Sequence, residues 1–275
     1  MAGVRILCGL PYPYHPTPYR PRSPAKPPPF LHYLKGIEKM KDYKTEFKTR
    51  VNFIRTTVQN ANAAGVIFGN SGGKDSALVA ILCKAACENT VGVIMPCGSA
   101  RNYGEDKSDA EALAGQFGIE TRVVDLSDTR EKLLAELQKN SPEITAAAIS
   151  NIAPRLRMTA LYTIAASENR LVAGTGNRSE IYMGYFTKWG DGACDFNPIA
   201  DLCATEVAEF LRYLNAPENI YKKPPSAGLF EGQTDESEMG ISYKKIDEYL
   251  LHVVASEEDR AVIEGYHART AHKRN

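Results

Sequence analysis

The sequence has no excess of either charge and no long apolar run. Its 275 residues include 33 basic and 33 acidic side chains, so the net charge is close to zero at pH 7. A nucleic-acid-binding protein usually carries a basic face, and none stands out here. No apolar run approaches the roughly 20 residues that cross a bilayer, and ILCGL near the start is too short for a signal-peptide core. These absences favour a cytoplasmic location and give no reason to expect nucleic-acid or membrane partners.

Cysteine is also scarce, and its spacing is not that of a metal site. The six cysteines include no CxxC pair. Cys83 and Cys87 stand four residues apart in a strongly apolar segment, where small thiols pack well in a buried helix. We therefore predict structural thiols rather than metal ligands.

Proline is concentrated in one segment near the start of the chain. The stretch PYPYHPTPYRPRSPAKPPPF, residues 11–30, holds nine of the sixteen prolines. Such a segment favours extended polyproline II and cannot join a packed core. Residues 1–39 are therefore predicted to be a disordered tail or the product of a misassigned translation start, in preference to a PxxP ligand for a partner domain. A single folded domain, residues 40–275, is predicted to follow and to open with a helix after Met40.

Strands and helices are predicted to alternate through this domain. The strand segments are residues 65–69, 91–96, 120–126 and 170–175, and helical segments lie at 77–87, 104–118, 127–140, 151–169 and 205–216. Strands separated by helices of this length predict a three-layer α/β fold, a doubly wound parallel sheet covered on both faces. Ligands bind such sheets at the carboxyl ends of the strands, where the loops after Gly69 and Gly174 are expected to lie.

The first of these loops lies in FGNSGGKDSALVA, residues 68–80. It is not a P-loop, because Gly73-Lys74 is followed by Asp75, and it lacks the G-x-G-x-x-G spacing. The strand, glycine loop and helix start would nevertheless aim the N–H groups of Ser71 to Ser76 into one concavity at a positive helix end. A carboxylate beside a polyphosphate indicates an intervening Mg²⁺, so Asp75 favours a nucleotide site. The alternative is a glycine-rich turn capped by Asp75.

The second loop, GTGNRSEIYMGYFTKWGDGACDFNPIADL, residues 174–202, is rich in polar side chains. Thr175 and Glu180 follow a strand end and would face Asp75 across the site, where two carboxylates suit bridging Mg²⁺ ions. Lys188 adds a positive charge. Taken alone, the segment would be a polar surface loop with a turn at Asp191-Gly192.

The motif SGGKDS resembles the SGGxDS pyrophosphate loop of the N-type ATP pyrophosphatases. These enzymes cleave ATP to AMP and pyrophosphate while they adenylate a carboxylate or carbonyl oxygen. The resemblance implies the Rossmann-like fold of the adenine nucleotide alpha-hydrolases.

Four further stretches narrow the family. NIAPRLRMTALY, AGTGNRSEIYMGYFTKWGDGACDFNPI, KKPPSAGLFEGQTDESEMGISYKKIDEYL and the terminal HKRN resemble the NAD synthetase family in order and spacing, from about residue 50 to 275. The resemblance implies a ligase that forms a C–N bond. The nicotinate carboxylate of deamido-NAD attacks the α-phosphorus of ATP, pyrophosphate leaves, and ammonia displaces AMP to give NAD. No side chain is expected to do covalent chemistry, so catalysis would be positioning and charge neutralisation.

The resemblance also implies site residues, position by position. Those expected to bind ATP are Gly69, Asn70, Ser71, Gly72, Gly73, Lys74, Asp75, Ser76, Thr175 and Ser226. Those expected to bind deamido-NAD are Arg155, Lys188, Asp195, His272 and Lys273. Asp75 and Glu180 would bind Mg²⁺. A homodimer with deamido-NAD near the subunit interface is expected, with free ammonia as the nitrogen donor because nothing in the sequence resembles an amidase domain.

Two positions depart from the family pattern. Ala204 stands where the family has a lysine that touches ATP phosphate, and Asn70 stands where an apolar residue normally precedes SGG. Lys74 is the expected substitute for the missing charge; the alternative is that Lys74 points to solvent and the enzyme binds ATP less tightly. The segment from Ser226 to Gly240 is predicted to be a mobile lid, and its acidic run, residues 235–238, the solvated face of that lid.

Two rival functions remain at this stage. One is another adenylating enzyme of the superfamily, such as a tRNA-modifying enzyme, which would need a basic surface. The other is a catalytically weak paralogue that binds nucleotide or acts as a scaffold subunit, and Ala204 is its main support.

Overall fold

The computed structural model describes residues 41–98, 104–141, 143–223 and 235–274. The predicted tail of residues 1–39 and the predicted ATP ligand Ser226 lie outside the described residues. Within these ranges no helix combines the length and the apolar character that crossing a membrane requires.

A four-stranded parallel sheet forms the centre of the fold. Its strands are β1 (Gly65–Gly69), β2 (Thr90–Ile94), β3 (Glu120–Val123) and β4 (Arg170–Val172), in the order β3-β2-β1-β4. The two central strands, β1 and β2, are buried almost throughout, which explains why both are nearly continuous apolar runs. The predicted doubly wound α/β class is confirmed.

The helices cover both faces of this sheet. In chain order they are α1 (Tyr43–Asn60), α2 (Lys74–Ala86), α3 (Glu105–Phe117), α4 (Ser127–Asn140), α5 (Ala146–Ser150), α6 (Ile152–Glu168), α7 (Arg178–Met183), α8 (Ala204–Tyr213), α9 (Glu218–Tyr221), α10 (Asp235–Met239), α11 (Tyr243–His252) and α12 (Glu257–Arg269), with a 3-10 turn at Ala271–Lys273.

Alternate residues of β1 point into two separate apolar layers, as the pleat of a strand requires. Val66 and Phe68 pack with α1, α2 and α8 on one face. Ile67 packs with β2, β4 and α6 on the other. A third apolar cluster, built on Met183, Met239 and Ile263 among others, joins α7 to α10, α11 and α12.

Three predicted strands end earlier than expected, at Ile94, Val123 and Val172. β2 stops before Pro96, which has no N–H to give to a ladder. β4 is an edge strand, and its Val172 N–H donates to a side chain, Asp195 Oδ2, at 2.8 Å. Ala173 N still donates to the Ile67 carbonyl at 2.9 Å, so the chain leaves β1 just after β4, and the loops that follow open at the carboxyl edge of the sheet.

Candidate active site

A cavity of about 1040 Å³ lies at the carboxyl edge of the sheet. The loops after β1 and β4 both contribute to its wall, together with the start of α6 and residues near the end of the chain. This is where ligands bind in open parallel sheets, and the two loops singled out in the sequence meet here.

The phosphate loop, residues 69–76, connects β1 to the start of α2. Ser71 Oγ and Ser76 Oγ lie 3.0 Å apart, Gly73 N donates to Ser71 Oγ at 3.2 Å, and Ser76 Oγ donates to the Gly73 carbonyl at 3.0 Å. The loop is thus closed on itself at the positive end of a thirteen-residue helix, an arrangement suited to a phosphate. All its residues line the cavity except Gly72.

Gly72 has a structural role instead. Its φ is +73°, and a Cβ added there would lie 2.1 Å from the Asp106 carbonyl oxygen on α3. Both the left-handed backbone and the close approach of α3 require glycine at this position.

Asp75 and Glu180, the two predicted metal ligands, both accept hydrogen bonds from Asn177. Asn177 Nδ2 donates to Asp75 Oδ1 at 3.0 Å, and Asn177 N donates to Glu180 Oε2 at 3.0 Å. Burial raises the pKa of Asp75 to about 6, although the hydrogen bond from Asn177 opposes this shift. Burial also raises the pKa of Glu180 well above its usual range, and the charge of Asp75 adds to the effect. Two buried carboxyl groups with raised pKa values, one of them raised further by the charge of the other, form a site that a cation would stabilise.

Asp235 is a third carboxylate at this end of the cavity. It is 4% exposed, and its charge contributes to the raised pKa of both Asp75 and Glu180. Tyr243 Oη lies 3.3 Å from Asp235 Oδ2. The prediction that residues 235–238 form a solvated face is therefore wrong for Asp235, which is buried because α10 packs on the third apolar cluster through Met239. Ser237 and Glu238 are exposed as expected.

Cationic side chains line another part of the wall. Lys273 Nζ donates to the carbonyls of Gly184 and Phe186, both at 2.8 Å, and burial lowers the pKa of this lysine. Lys188 Nζ donates to the His272 carbonyl at 2.6 Å and lies 5.3 Å from the ring centre of Trp189. His272 and Lys273 of the terminal HKRN motif are thus tied to the loop after β4 rather than free in solvent.

Three predicted deamido-NAD residues do not line the cavity. Arg155 is exposed and donates from Nε to the Lys188 carbonyl at 3.3 Å. Asp195 is exposed and accepts from Tyr162 Oη at 3.2 Å as well as from β4. His272 is exposed and contributes its carbonyl to Lys188. Of the site residues predicted outside the phosphate loop to bind ATP, Mg²⁺ or deamido-NAD, the structure places Thr175, Glu180, Lys188 and Lys273 on the cavity wall.

Three residues of the site were not predicted from the sequence. Asn177, Arg157 and Lys223 all lie at or beside the cavity, and Arg157 Nε donates to the Met95 carbonyl at 2.9 Å. Asn177 had a readable signal, because asparagine followed three residues later by Glu180 is the spacing of a capping box, which the structure contains. For Arg157 and Lys223 the sequence offers no local signal, since both follow from tertiary packing.

Ala204, the departure from the family pattern, begins α8 away from the cavity wall. Its N–H lies 3.2 Å from Ser179 Oγ, and its side chain packs against the third apolar cluster. Lys74, in contrast, lines the cavity.

The carboxylates of Asp75 and Glu180 suit a magnesium ion that takes its other ligands from phosphate and water. Over the residues that the structure describes, no three His, Cys, Asp or Glu side chains are grouped so as to hold a metal by themselves. Mg²⁺ commonly takes one or two carboxylates and completes its shell with phosphate oxygens and water. The pair Asp75 and Glu180 beside a phosphate loop matches that donor set.

The fold and the site define an α/β enzyme of the nucleotide-binding class. The model of the NAD synthase family matches residues 46–274, and the chain belongs to this family. It is accordingly a ligase that forms a C–N bond.

Sequence relatives and solved structures similar to this chain agree with this assignment. The chain is 49% identical over 226 residues to an NH(3)-dependent NAD(+) synthetase of Carboxydothermus hydrogenoformans, covering 82% of this chain and 92% of the relative. It is 46% identical over 209 residues to that of Methanococcus aeolicus, covering 75% and 82%. Among solved structures, the NMN synthetase from Francisella tularensis is similar with a TM-score of 0.81 and 38% identity, covering 86% of this chain and 97% of that one. The NH3-dependent NAD synthetase from Campylobacter jejuni has a TM-score of 0.68 and 33% identity, with the same coverage.

Proposed function

We propose that this chain performs the ammonia-dependent synthesis of NAD from deamido-NAD and ATP, with the phosphate loop holding ATP and the Asp75–Glu180 pair holding Mg²⁺. The observation that carries the proposal is the junction of two loops distant in sequence. The hydrogen bond between Asn177 and Asp75 brings a phosphate loop and a carboxylate pair to one wall of the cavity. Membership of the NAD synthase family supplies the reaction.

The first half-reaction needs the triphosphate to be held and its charge neutralised. The backbone N–H groups at the start of α2, with the hydroxyls of Ser71 and Ser76, would bind phosphate oxygens. When bound, Mg²⁺ would neutralise the charge that develops on the departing pyrophosphate. The nicotinate carboxylate then attacks the α-phosphorus, and the protein contributes position and electrostatics.

The second half-reaction explains why adenylation is needed. A carboxylate does not acylate ammonia at a useful rate because oxide is a poor leaving group, whereas AMP is a good one. Lys188 and Lys273 lie on the wall lined by the loop after β4, where they would hold the anionic substrate. Both ammoniums already donate to backbone carbonyls, so their positions are set before substrate arrives.

A homodimer would account for the predicted residues that lie off the cavity. Arg155, Asp195 and His272 are exposed in the single chain, so they contact deamido-NAD only if the substrate extends over the surface. α4 has no buried residue and exposes Leu133 and Leu137. An apolar helix face of this kind suits a subunit interface, and we propose that the partner covers it.

One observation favours a second candidate substrate. The structural similarity to the NMN synthetase from Francisella tularensis, with a TM-score of 0.81, exceeds that to the Campylobacter jejuni NAD synthetase. The chemistry would be unchanged, because nicotinate mononucleotide carries the same carboxylate and lacks only the adenylate half.

The direct test is a product assay with both carboxylate substrates. Enzyme, ATP, MgCl2 and ammonium are incubated with deamido-NAD or with nicotinate mononucleotide, and the pyridine nucleotide, AMP and pyrophosphate are quantified. NAD, AMP and pyrophosphate are expected in equal amounts, with a higher kcat/KM for deamido-NAD. A higher kcat/KM for the mononucleotide would establish the second candidate, and absence of AMP with either substrate would contradict both.

Variants of the metal pair test the site itself. Asp75→Asn and Glu180→Gln should retain the fold but lower adenylation by about a hundredfold or more, since each removes one anchor of the cation. Adenylation is followed without ammonium by exchange of labelled pyrophosphate into ATP. Normal exchange in either variant would remove that residue from the site.

A further inference from the structure

Lys223 is a buried lysine beside the phosphate loop. It is 8% exposed, and its Nζ donates to Asp106 Oδ1 at 2.8 Å and to Asp109 Oδ2 at 2.6 Å. Asp109 is 7% exposed and also accepts from Asn219 Nδ2 at 2.6 Å. Burial alone lowers the pKa of Lys223, but its hydrogen bonds to the two aspartates outweigh this and raise it. A buried charge is tolerated only when paired in this way.

The two aspartates lie on the first turns of α3, and α3 supports the phosphate loop at two points. The Asp106 backbone lies so close to Gly72 that a Cβ there would come within 2.1 Å of the carbonyl oxygen. Asn70 Nδ2 donates to the Ala110 carbonyl at 3.2 Å. The Gly72 contact is backbone to backbone, so no flexible side chain can absorb a shift of α3.

We propose that Lys223 is a positioning residue for ATP, which holds the first turns of α3 against Gly72 and thereby fixes the shape of the phosphate loop. This inference rests on the assignment of that loop to ATP in the proposed function. Lys223 follows α9, so it links three segments that are far apart in sequence: the end of α9, the start of α3 and the loop after β1.

Its second effect is electrostatic. Lys223, Asp106 and the phosphate loop line the same cavity. Without the lysine, the carboxylates of Asp106 and Asp109 would lose their shared cation beside the place where a polyphosphate binds. Repulsion between them would loosen α3, and their charge would repel the phosphates. Both consequences weaken ATP binding and leave the wall around Lys188 and Lys273, which is proposed to hold deamido-NAD, unaffected.

The experiment compares two adjacent lysines. Lys223→Met removes the charge at similar length, and Lys222→Met is the matched control, because Lys222 is exposed and pairs only at the surface with Glu218. KM is measured separately for ATP, deamido-NAD and ammonium. We expect Lys223→Met to raise KM for ATP about tenfold and to change the other two KM values less than about twofold. Lys222→Met should change none of them, and Lys223→Arg should recover most of the ATP affinity.

Other outcomes would overturn the proposal. A purely structural ion pair predicts a lower Tm with an unchanged KM for ATP, or an equal rise in all three KM values. If Lys223→Met fails to fold, Asp106→Ala carries the test, because alanine cannot accept the hydrogen bond from Lys223 Nζ and leaves Lys223 paired with Asp109. An unchanged KM for ATP in a folded Asp106→Ala enzyme would overturn the proposal as well.

Ser71→Ala separates this inference from the function on which it rests. A raised KM for ATP in Ser71→Ala with a normal value in Lys223→Met refutes only the role of Lys223. Normal values in both variants refute the assignment of the loop, and the role of Lys223 with it.

Discussion

Asn177 Nδ2 lies 3.0 Å from Asp75 Oδ1, and this hydrogen bond joins two loops whose residues are 102 positions apart in the chain. The same asparagine caps α7, with its side chain accepting from Glu180 N at 3.0 Å. One side chain therefore orients both proposed metal ligands. The Nδ2 group donates to the carboxylate of Asp75. The Oδ1 atom accepts from the backbone N–H of Glu180 and so fixes the backbone that carries the second carboxylate.

The first prediction follows from this double role. Asn177→Asp keeps the cap acceptor but loses the donor and adds a further carboxylate beside Asp75 and Glu180. We expect a lower Tm without Mg²⁺ and a larger rise in Tm than in the wild type when millimolar MgCl2 is added. Asn177→Ala, the control, loses the cap at a cost of about 1 kcal/mol but should gain no extra response to Mg²⁺. An equal rise in Tm with MgCl2 in the two variants would contradict the proposal that Asn177 lies beside the metal site.

The second prediction concerns pH. The pKa of Asp75 is raised to about 6 from the ordinary 3.8, and that of Glu180 is also raised. The folded state thus binds more protons than the unfolded state between about pH 4 and about pH 6, so its free energy of unfolding falls as pH rises through that window. Melting curves without Mg²⁺ should show a fall in Tm that is shallower in the Asp75→Asn, Glu180→Gln double variant. The same slope in both proteins would show that these groups do not titrate as stated.

Much of the fold could be predicted from the sequence, because β1 and β2 are buried on both faces and thus nearly all apolar. The start of α2 at Lys74 was missed, since the loop residues Gly73 to Ser76 carry no apolar periodicity. The positions of the two site loops, after Gly69 and Gly174, could be predicted because the carboxyl ends of parallel strands lie at one edge of the sheet. The buried states of Lys223 and Asp235 were not predictable, because each depends on partners or packing in distant segments, and a charged side chain in sequence gives no sign of them.

The third prediction tests the proline-rich segment. Residues 1–39 lie outside the described residues, and their composition cannot supply a packed core. A chain that starts at Met40 should match the full chain in Tm and in turnover number. A marked loss of either would make the segment part of the enzyme.

The fourth prediction concerns the end of α11. Val253 occupies the C-terminal cap in the left-handed region, at φ +60°, and is 54% exposed. A β-branched residue is strained there, whereas glycine is not. Val253→Gly should therefore raise the free energy of unfolding by about 1 kcal/mol in chemical denaturation. Val254→Gly is the control, because Val254 is 60% exposed without a positive φ and should give no such gain. A gain in both variants would show that relief of the left-handed backbone at Val253 is not its source, because added glycine freedom in the unfolded chain lowers stability.

The last prediction joins Ala204 to Lys74. The family resemblance implies a lysine at position 204 in contact with ATP phosphate, and its absence would leave Lys74 as the cationic side chain within the phosphate loop. Lys74 lines the cavity, whereas Ala204 starts α8 with its N–H toward Ser179. A lysine at 204 would therefore have to extend its side chain from the helix start to reach the phosphates.

If Lys74 substitutes for the missing charge, the two positions should be coupled. Lys74→Ala should raise KM for ATP or lower kcat, and adding Ala204→Lys should restore much of the loss. A double-mutant cycle in kcat/KM measures this directly. The expected coupling is about 1–2 kcal/mol, or roughly five- to thirtyfold. Strict additivity would mean that Lys74 does not compensate for Ala204, and that the enzyme holds ATP through the loop amides, hydroxyls and metal pair without a lysine at either position.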